Sequence, residues 1–444
     1  MGTLDRWRRF LATPQTLHFP RLSLLGSDHA PFIVQGEGEV RVETPTRNSY
    51  RLTGRPEDVS YALAELQRLR TDPYNALARQ RLVGFDEGGV EWALGWTEPH
   101  VELAPSDDSW VFTGTIESLM PIDQSGTVAR ESSTEAIFLF PAGSPMRRMM
   151  PHLLRQADNE GGRAFLIEVA GSQLHLNYDP TEGALTIVAE HSETLPPTHT
   201  ENWLGEPFRI LFGQLIYPRL VARNLGEGHT VVFVRPSPGY LQEAGWAALW
   251  RGGPPDNFWK LYADLLLFIA SARDELGQPH WEPHKVTRLY EEIIQASRGS
   301  RWIWALSFAS AIEGLVRLLY PRGTAHPDAD DLQAAALVAH IEAWIGNERL
   351  KAIARGAVKR SSELPTVVAL RLLRRSGVVA PAQYEAWDKV RNAVMHGSLV
   401  SPYSVEEEDD RLLELAELFH ALTREIVRRA NSDKPVIPES WPRP

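Results

Sequence analysis

The segment Arg391-Asn392-Ala393-Val394-Met395-His396-Gly397 holds residue types that suit phosphate chemistry. Histidine titrates close to neutrality and can accept or give a proton at physiological pH. Arginine keeps its charge and offers a planar fork of donors to a phosphate. Asn392 and His396 are four apart, so on a helix they stack on one face, where the amide can hold the imidazole in one tautomer. Arg391 lies one residue further back, about 7.5 Å along the axis from His396, and its long side chain reaches the same phosphate. Gly397 ends the helix and keeps the backbone beside His396 open to a ligand. This set suits RNA cleavage without a metal. The imidazole would activate the 2′-hydroxyl or protonate the leaving 5′-oxygen, and the guanidinium would stabilise the phosphorane. One His does not easily do both jobs, so a second copy from a symmetry mate is the expected complement.

As a bare pattern, Arg followed by His a few residues later is weak. Arg147 with His152, Arg223 with His229 and Arg273 with His280 match it too. Pro151 interrupts the first, Gly226 and Gly228 put the second in a turn between strands, and Gly277 and Pro279 break the third. Only Arg391 and His396 fall wholly within an expected amphipathic helix, 381–396, with Tyr384, Trp387, Val390 and Val394 as its buried face. The bland reading is a surface Arg and a terminal His that interacts favourably with the helix dipole.

That helix belongs to a helical half. Apolar periodicity predicts helices at 257–276, 302–320, 330–345, 350–359, 364–375, 381–396 and 404–430. The last opens on a capping box, Ser404-Val405-Glu406-Glu407, and its acidic run suits the positive N-terminus. Within 348–375 lie Arg349, Lys351, Arg355, Lys359, Arg360, Arg371, Arg374 and Arg375 against only Glu348 and Glu363. This basic segment is a candidate RNA-binding surface, or a solvated helix face.

The first half reads as strands, at 31–44, 90–96, 109–116, 136–140, 164–169, 173–178, 184–189, 208–212 and 230–234. Helices interrupt at 57–69 and, less clearly, at 146–156. The expected fold is therefore α+β: a β-rich domain, sandwich or barrel-like, over 1–235, a Pro/Gly-rich linker at 236–256, a helical domain over 257–431 and an extended tail at 432–444.

The absence of cysteine excludes disulfides, thiol nucleophiles and cysteine zinc sites, and suits a reducing, cytoplasmic setting. No apolar run of about 20 residues is found and the start lacks the apolar core of a signal peptide, so no membrane partner is expected. The net charge of −11 lies wholly in the first 300 residues, since the remainder carries 19 Lys+Arg and 19 Asp+Glu. Phosphate-loop, zinc-protease and nucleophile-elbow motifs are missing, and no metal or cofactor is expected.

The 391–397 segment resembles the signature of the HEPN superfamily, an Arg, a polar residue and then a His near a helix end. Ser307-Phe308-Ala309-Ser310-Ala311-Ile312-Glu313-Gly314-Leu315 looks like the first long helix of ApeA-like HEPN domains. The stretch 364–379, followed by Tyr384, Trp387, Val390, Arg391 and Asn392, is similar to their approach to the catalytic helix. The resemblance covers roughly 302–431 and implies a helical bundle that forms a homodimer with paired sites. It implies an endoribonuclease with Arg391, Asn392 and His396 as catalytic residues and RNA as substrate. It also implies an anti-phage, abortive-infection role. The charge asymmetry separately makes the acidic β-rich domain a candidate for sensing a protein trigger or for restraint, by holding a partner near the cleft or competing with RNA for the basic segment 349–375. Glu313 is a candidate accessory residue, or a buried or capping carboxylate. A catalytically inactive HEPN module that dimerises or binds nucleotide or RNA is the alternative. The helix at 257–276 is not explained by the resemblance.

Overall fold

A computed structural model describes residues 3–11, 14–26, 32–44, 47–71, 79–103, 109–117, 119–122, 132–155, 164–169, 171–225, 230–252, 254–280, 282–321, 323–327, 331–395 and 406–432. The fold is α+β, with antiparallel sheets in the N-terminal part and helices in the C-terminal part. Two compact units divide the chain: Met1–Leu241 with Trp250–Pro283, and Gln242–Leu249 with His284–Pro444.

In the first unit the strands β1 (Gln15–Leu25), β2 (Phe32–Thr44), β3 (Arg47–Arg55), β4 (Gln80–Phe85), β5 (Glu91–Thr97), β6 (His100–Leu103), β7 (Trp110–Ile116) and β8 (Met120–Ile122) form one sheet, ordered β6-β7-β3-β2-β1-β4-β5-β8. A 13-residue helix, α1 (Val59–Thr71), separates β3 from β4. The strands β9 (Ser133–Leu139), β10 (Ala164–Val169), β11 (Ser172–Asp179), β12 (Ala184–Glu190), β13 (Pro218–Asn224) and β14 (Thr230–Val234) form a second, ordered β10-β11-β12-β9-β13-β14. Leu119 and Val234 exchange two backbone hydrogen bonds and bridge the sheets. Both sheets feed one core. Phe19, Leu22, Leu52 and Trp92 from the first lie in the same apolar cluster as Ile137, Leu220, Ala222 and Val232 from the second. Alternate residues of β13 point the other way, towards the helix α3 (Thr200–Phe212), on which α4 (Pro255–Ala270) packs and, against α4, α2 (Pro145–Arg155), as the two-residue period of a strand requires.

Four expectations change here. Residues 208–212 are not a strand but the end of α3, of whose 13 residues 12 are buried. A helix buried on all sides shows no apolar stripe, so its short apolar run is indistinguishable from a core strand by period. Pro151 does not break α2, which runs through it. The helix expected to open the helical domain, α4, lies in the β-rich unit, where Trp259 Nε1 donates to the Leu153 carbonyl at 2.8 Å and the Tyr262 hydroxyl to that of Leu204 at 3.0 Å. The expected linker at 236–256 is likewise divided, with 242–249 in the second unit.

The second unit contains α5 (Lys285–Ala296), which the periodicity did not predict, then α6 (Arg301–Leu319), α7 (Asp331–Ala343), α8 (Glu348–Ser362), α9 (Thr366–Arg375), α10 (Pro381–Met395) and α11 (Glu406–Ala430). Its core is built by Tyr290 and Ile293 of α5, Phe308, Ile312 and Leu315 of α6, Leu370 and Leu373 of α9, Trp387 and Val390 of α10, and Leu415, Phe419 and Leu422 of α11. The segment 242–249 joins it through Trp246, which stacks on Trp304 at 5.3 Å, and through its carbonyl, 3.0 Å from His420 Nε2. By length and composition alone α6 could cross a membrane, contrary to expectation, but 44% of that stretch is buried in the protein, as in a core helix. The capping box expected at Ser404 and Val405 lies outside the described residues.

Candidate functional site

Pro381 opens α10 at a position where its missing N–H costs no helical hydrogen bond. Tyr384, Ala386, Trp387 and Val390 then bury the helix against α6, α9 and α11. One turn beyond Trp387, Arg391 emerges at the edge of the buried face with its side chain 37% exposed. Its Nε donates to Glu313 Oε1 at 3.2 Å, and its Cζ lies 5.6 Å from the centre of the Trp387 ring. The guanidinium thus has an aromatic floor and a carboxylate at one edge. Its terminal amino groups meet no further partner among the described residues.

Glu313 is neither buried nor a cap. It stands in the middle of α6, a third exposed, and meets Arg391 across 78 residues of sequence. So open a pair contributes about 0–1 kcal/mol to stability. What it does supply is direction: Arg391 is tied to the wall of the bundle on its Nε edge.

Asn392 turns back along its own helix, where Nδ2 donates to Asp388 Oδ2 at 3.3 Å. Asp388 was missed by the sequence reading, although its i, i−4 spacing from Asn392 signals it. The last described residue of α10 is Met395, and His396 and Gly397 lie outside the described residues.

The expected basic segment comes as two groups. Arg371, Arg374 and Arg375 are on α9, and the first two converge on Tyr384: Arg371 Nε donates to its hydroxyl at 3.1 Å, while Arg374 stands 5.4 Å from the ring centre. Tyr384 and Arg391 are seven residues apart on one face of α10, so Arg371 and Arg374 lie about 10.5 Å along the axis from Arg391. Tyr384 as the organiser of these cations was also missed, its signal being that same heptad spacing. The remaining cations belong to α8. Arg355 pairs with Glu342 at 2.8 Å, Lys351 with Glu348 at 3.1 Å, and Arg349 is exposed. Lys359 and Arg360 lie in the last turn of α8, with side chains outside the description. Among the described residues no group of three or more His, Asp or Glu is placed to hold a metal ion.

Of the decoy pairs, Arg147 does sit in a helix with His152, but its guanidinium donates to the carbonyls of Pro180 and Thr181 at 3.2 and 2.7 Å. Arg223 is on β13 and engages Glu201 with Nε at 3.1 Å, and His229 lies outside the described residues. Arg273 donates to the carbonyls of Ala270 and Ala272 just past α4.

No protein-family model matches the chain, and neither a curated protein nor a solved structure gives a match to it. The chemistry must therefore be argued from the site. Arg391, Arg371 and Arg374 form an exposed strip of cations along α9 and α10, the last two gathered over the buried Tyr384. Such a strip can take up phosphates.

Proposed function

We propose that the protein is a metal-independent endoribonuclease of the HEPN type, acting as a toxin-like anti-phage effector in the cytoplasm. The observation that carries this reading is the Glu313–Arg391 contact, which anchors one edge of the guanidinium on a rigid helix pair, one turn before His396. A group that stabilises developing charge acts best when it is held in advance of the reaction. RNA phosphates are taken by Arg391 and by the cations of α9, with Arg371 and Arg374 following the strand along α10. His396 moves the proton, on the 2′-hydroxyl or on the leaving 5′-oxygen. A homodimer supplies the second His396 that one copy lacks, and the acidic β-rich unit receives a protein trigger.

The test is cleavage of single-stranded RNA by the purified full-length chain, with chelator present, and analysis of the new ends. Products ending in a 2′,3′-cyclic phosphate, lost in both Arg391→Ala and His396→Ala, are expected. Activity that needs a divalent metal and survives His396→Ala would overturn the mechanism.

A second reading has its own observation. Glu313 and Asp388 occupy donors of Arg391 and Asn392, as in a module that binds RNA or nucleotide, or dimerises, without cleaving. Expression toxicity separates the two: if wild type and Arg391→Ala are equally harmless under every trigger, the binding module is favoured.

A further inference from the structure

A cluster in the first unit carries more positive charge than it neutralises. Glu201, in the first turn of α3, is completely buried and accepts from Arg223 Nε of β13 at 3.1 Å and from Arg223 Nη2. Arg235, just past β14, brings its Nη2 to 3.5 Å from the same carboxylate. Among the described residues no second carboxylate comes within ion-pair reach of either guanidinium. Glu201 also faces the positive end of its own helix, so its single charge is divided further. His191 and His199 stand nearby, but burial holds both below the ordinary histidine pKa, and at neutral pH they add no charge. Two cations are left with one anion.

The cluster is open at its cations and closed at its acid. Glu201 exposes none of its side chain, whereas Arg223 and Arg235 keep 23% and 27% of theirs. Arg223 is the one half-exposed residue of β13, whose other six are buried. Both guanidiniums lie over the ring of Phe233 on β14, at 4.9 and 5.2 Å from its centre, and Arg235 Nη1 donates to Asn202 Oδ1 at 3.0 Å. The forks are thereby held in place before any ligand arrives. Arg223 Nη1 and Arg235 Nε are the donors left over, with no partner among the described residues.

A partly buried cation without its own counter-ion is unfavourable, and an anion from solution offsets that cost. Desolvation pulls the Arg235 guanidinium below its usual range, with Glu201 opposing the shift and Arg223 adding to it. A second anion would act in the same sense as Glu201. Because the two forks lie over one ring, a tetrahedral oxyanion has oxygens enough to meet both at once. Guanidinium forks also match phosphate geometry, and a carboxylate brings only two oxygens.

We propose that Arg223 and Arg235 form a binding site for phosphate, free or carried as a small phosphate monoester, with Glu201 as the buried counter-charge that holds both forks. The site gives the β-rich unit a small anionic ligand of its own, and it does not depend on the ribonuclease reading.

The full chain is titrated by calorimetry with inorganic phosphate, with adenosine 5′-monophosphate and with acetate, at constant ionic strength. Saturable binding of phosphate or of the monophosphate is expected, at a Kd of about 1 mM or tighter and at least about tenfold tighter than acetate. Tighter binding of the monophosphate than of inorganic phosphate identifies an esterified ligand, and the reverse order identifies the free ion. Arg223→Gln leaves one cation for one carboxylate, so it should fold and yet bind at least about tenfold more weakly. Should that variant melt early, Arg223→Lys keeps the charge, loses the fork and must still weaken binding. The double substitution Arg371→Ala, Arg374→Ala in the second unit should retain it. Absence of binding by the wild type overturns the proposal, as does binding no tighter than that of acetate. So does binding that Arg223→Gln leaves unchanged, or that only the double substitution removes.

Discussion

Glu313 Oε1 accepts a hydrogen bond from Arg391 Nε at 3.2 Å, joining the middle of α6 to the last turns of α10. Both side chains are about a third exposed, so the contact contributes little to folding and much to where the guanidinium points. Glu313→Ala is therefore expected to change unfolding free energy by less than about 1 kcal/mol. In RNA cleavage the same variant should lose roughly tenfold in kcat/KM, with Glu313→Gln retaining more because an amide oxygen still accepts from Nε. Equal activity of Glu313→Ala and wild type would show that the contact does not position Arg391.

Arg391→Ala removes the charge itself. A loss of about 10²–10³ in kcat is expected, the usual cost of deleting one preorganised donor to a developing charge. Arg391→Lys should recover only part of it, since an ammonium lacks the planar fork. Circular dichroism should show both variants folded.

Trp387 is fully buried beneath Arg391 and is the largest core side chain of α10. Its replacement by Ala leaves a cavity and should destabilise the second unit by about 3–5 kcal/mol. Trp387→Phe should cost less and still lower cleavage, because the floor of the guanidinium shrinks. Chemical denaturation followed alongside activity separates the two effects.

In the first unit Glu201 is completely buried on α3 and meets both Arg223 and Arg235. Desolvation pulls the Arg235 guanidinium below its usual range, and the Glu201 carboxylate opposes that shift. Glu201→Ala strands two cations beside an apolar sheet face, at an expected cost of about 3–5 kcal/mol. Glu201→Gln, which keeps an acceptor, should cost less. Thermal melting of the full chain reads this directly.

Beside that cluster, His191 lies between the Ser132 hydroxyl, 2.6 Å from Nδ1, and that of Thr134, 2.7 Å from Nε2. Burial lowers its pKa from 6.5 to about 4, with Glu201 opposing and Arg223 adding to the shift. Burial lowers that of His199 as well. Folding therefore favours the neutral rings. The His191 contribution is complete above pH 6.5 and is lost as pH falls from 6.5 towards about 4. For the half-buried His191 the loss is about 1 kcal/mol after solvent screening. His191→Gln should flatten the fall in melting temperature between pH 6.5 and pH 4; an unchanged slope would assign it to other groups.

The order of classes along the chain was legible in the sequence. Period-two alternation marked β11 and β12, and three-and-four spacing marked α6, α10 and α11, because each buries one face and exposes the other. Where burial is complete on all sides the pattern vanishes, and α3 was read as ending in a strand for that reason. α4 was read correctly as a helix but placed with the wrong unit. Its apolar face shows that it packs, not against what, and Trp259 and Tyr262 found carbonyls on α2 and α3.

For the candidate site, the sequence by itself determined the residue types, their spacing on one helix and the cation-rich stretch that follows α7. Local periodicity is a property of consecutive residues and needs no partner. Only the tertiary structure decided that Glu313 meets Arg391, that Tyr384 gathers Arg371 and Arg374, and that Arg355 of α8 pairs with Glu342 of α7. Those relations join residues as much as 78 positions apart, set by how helices pack. No spacing rule along the chain encodes them.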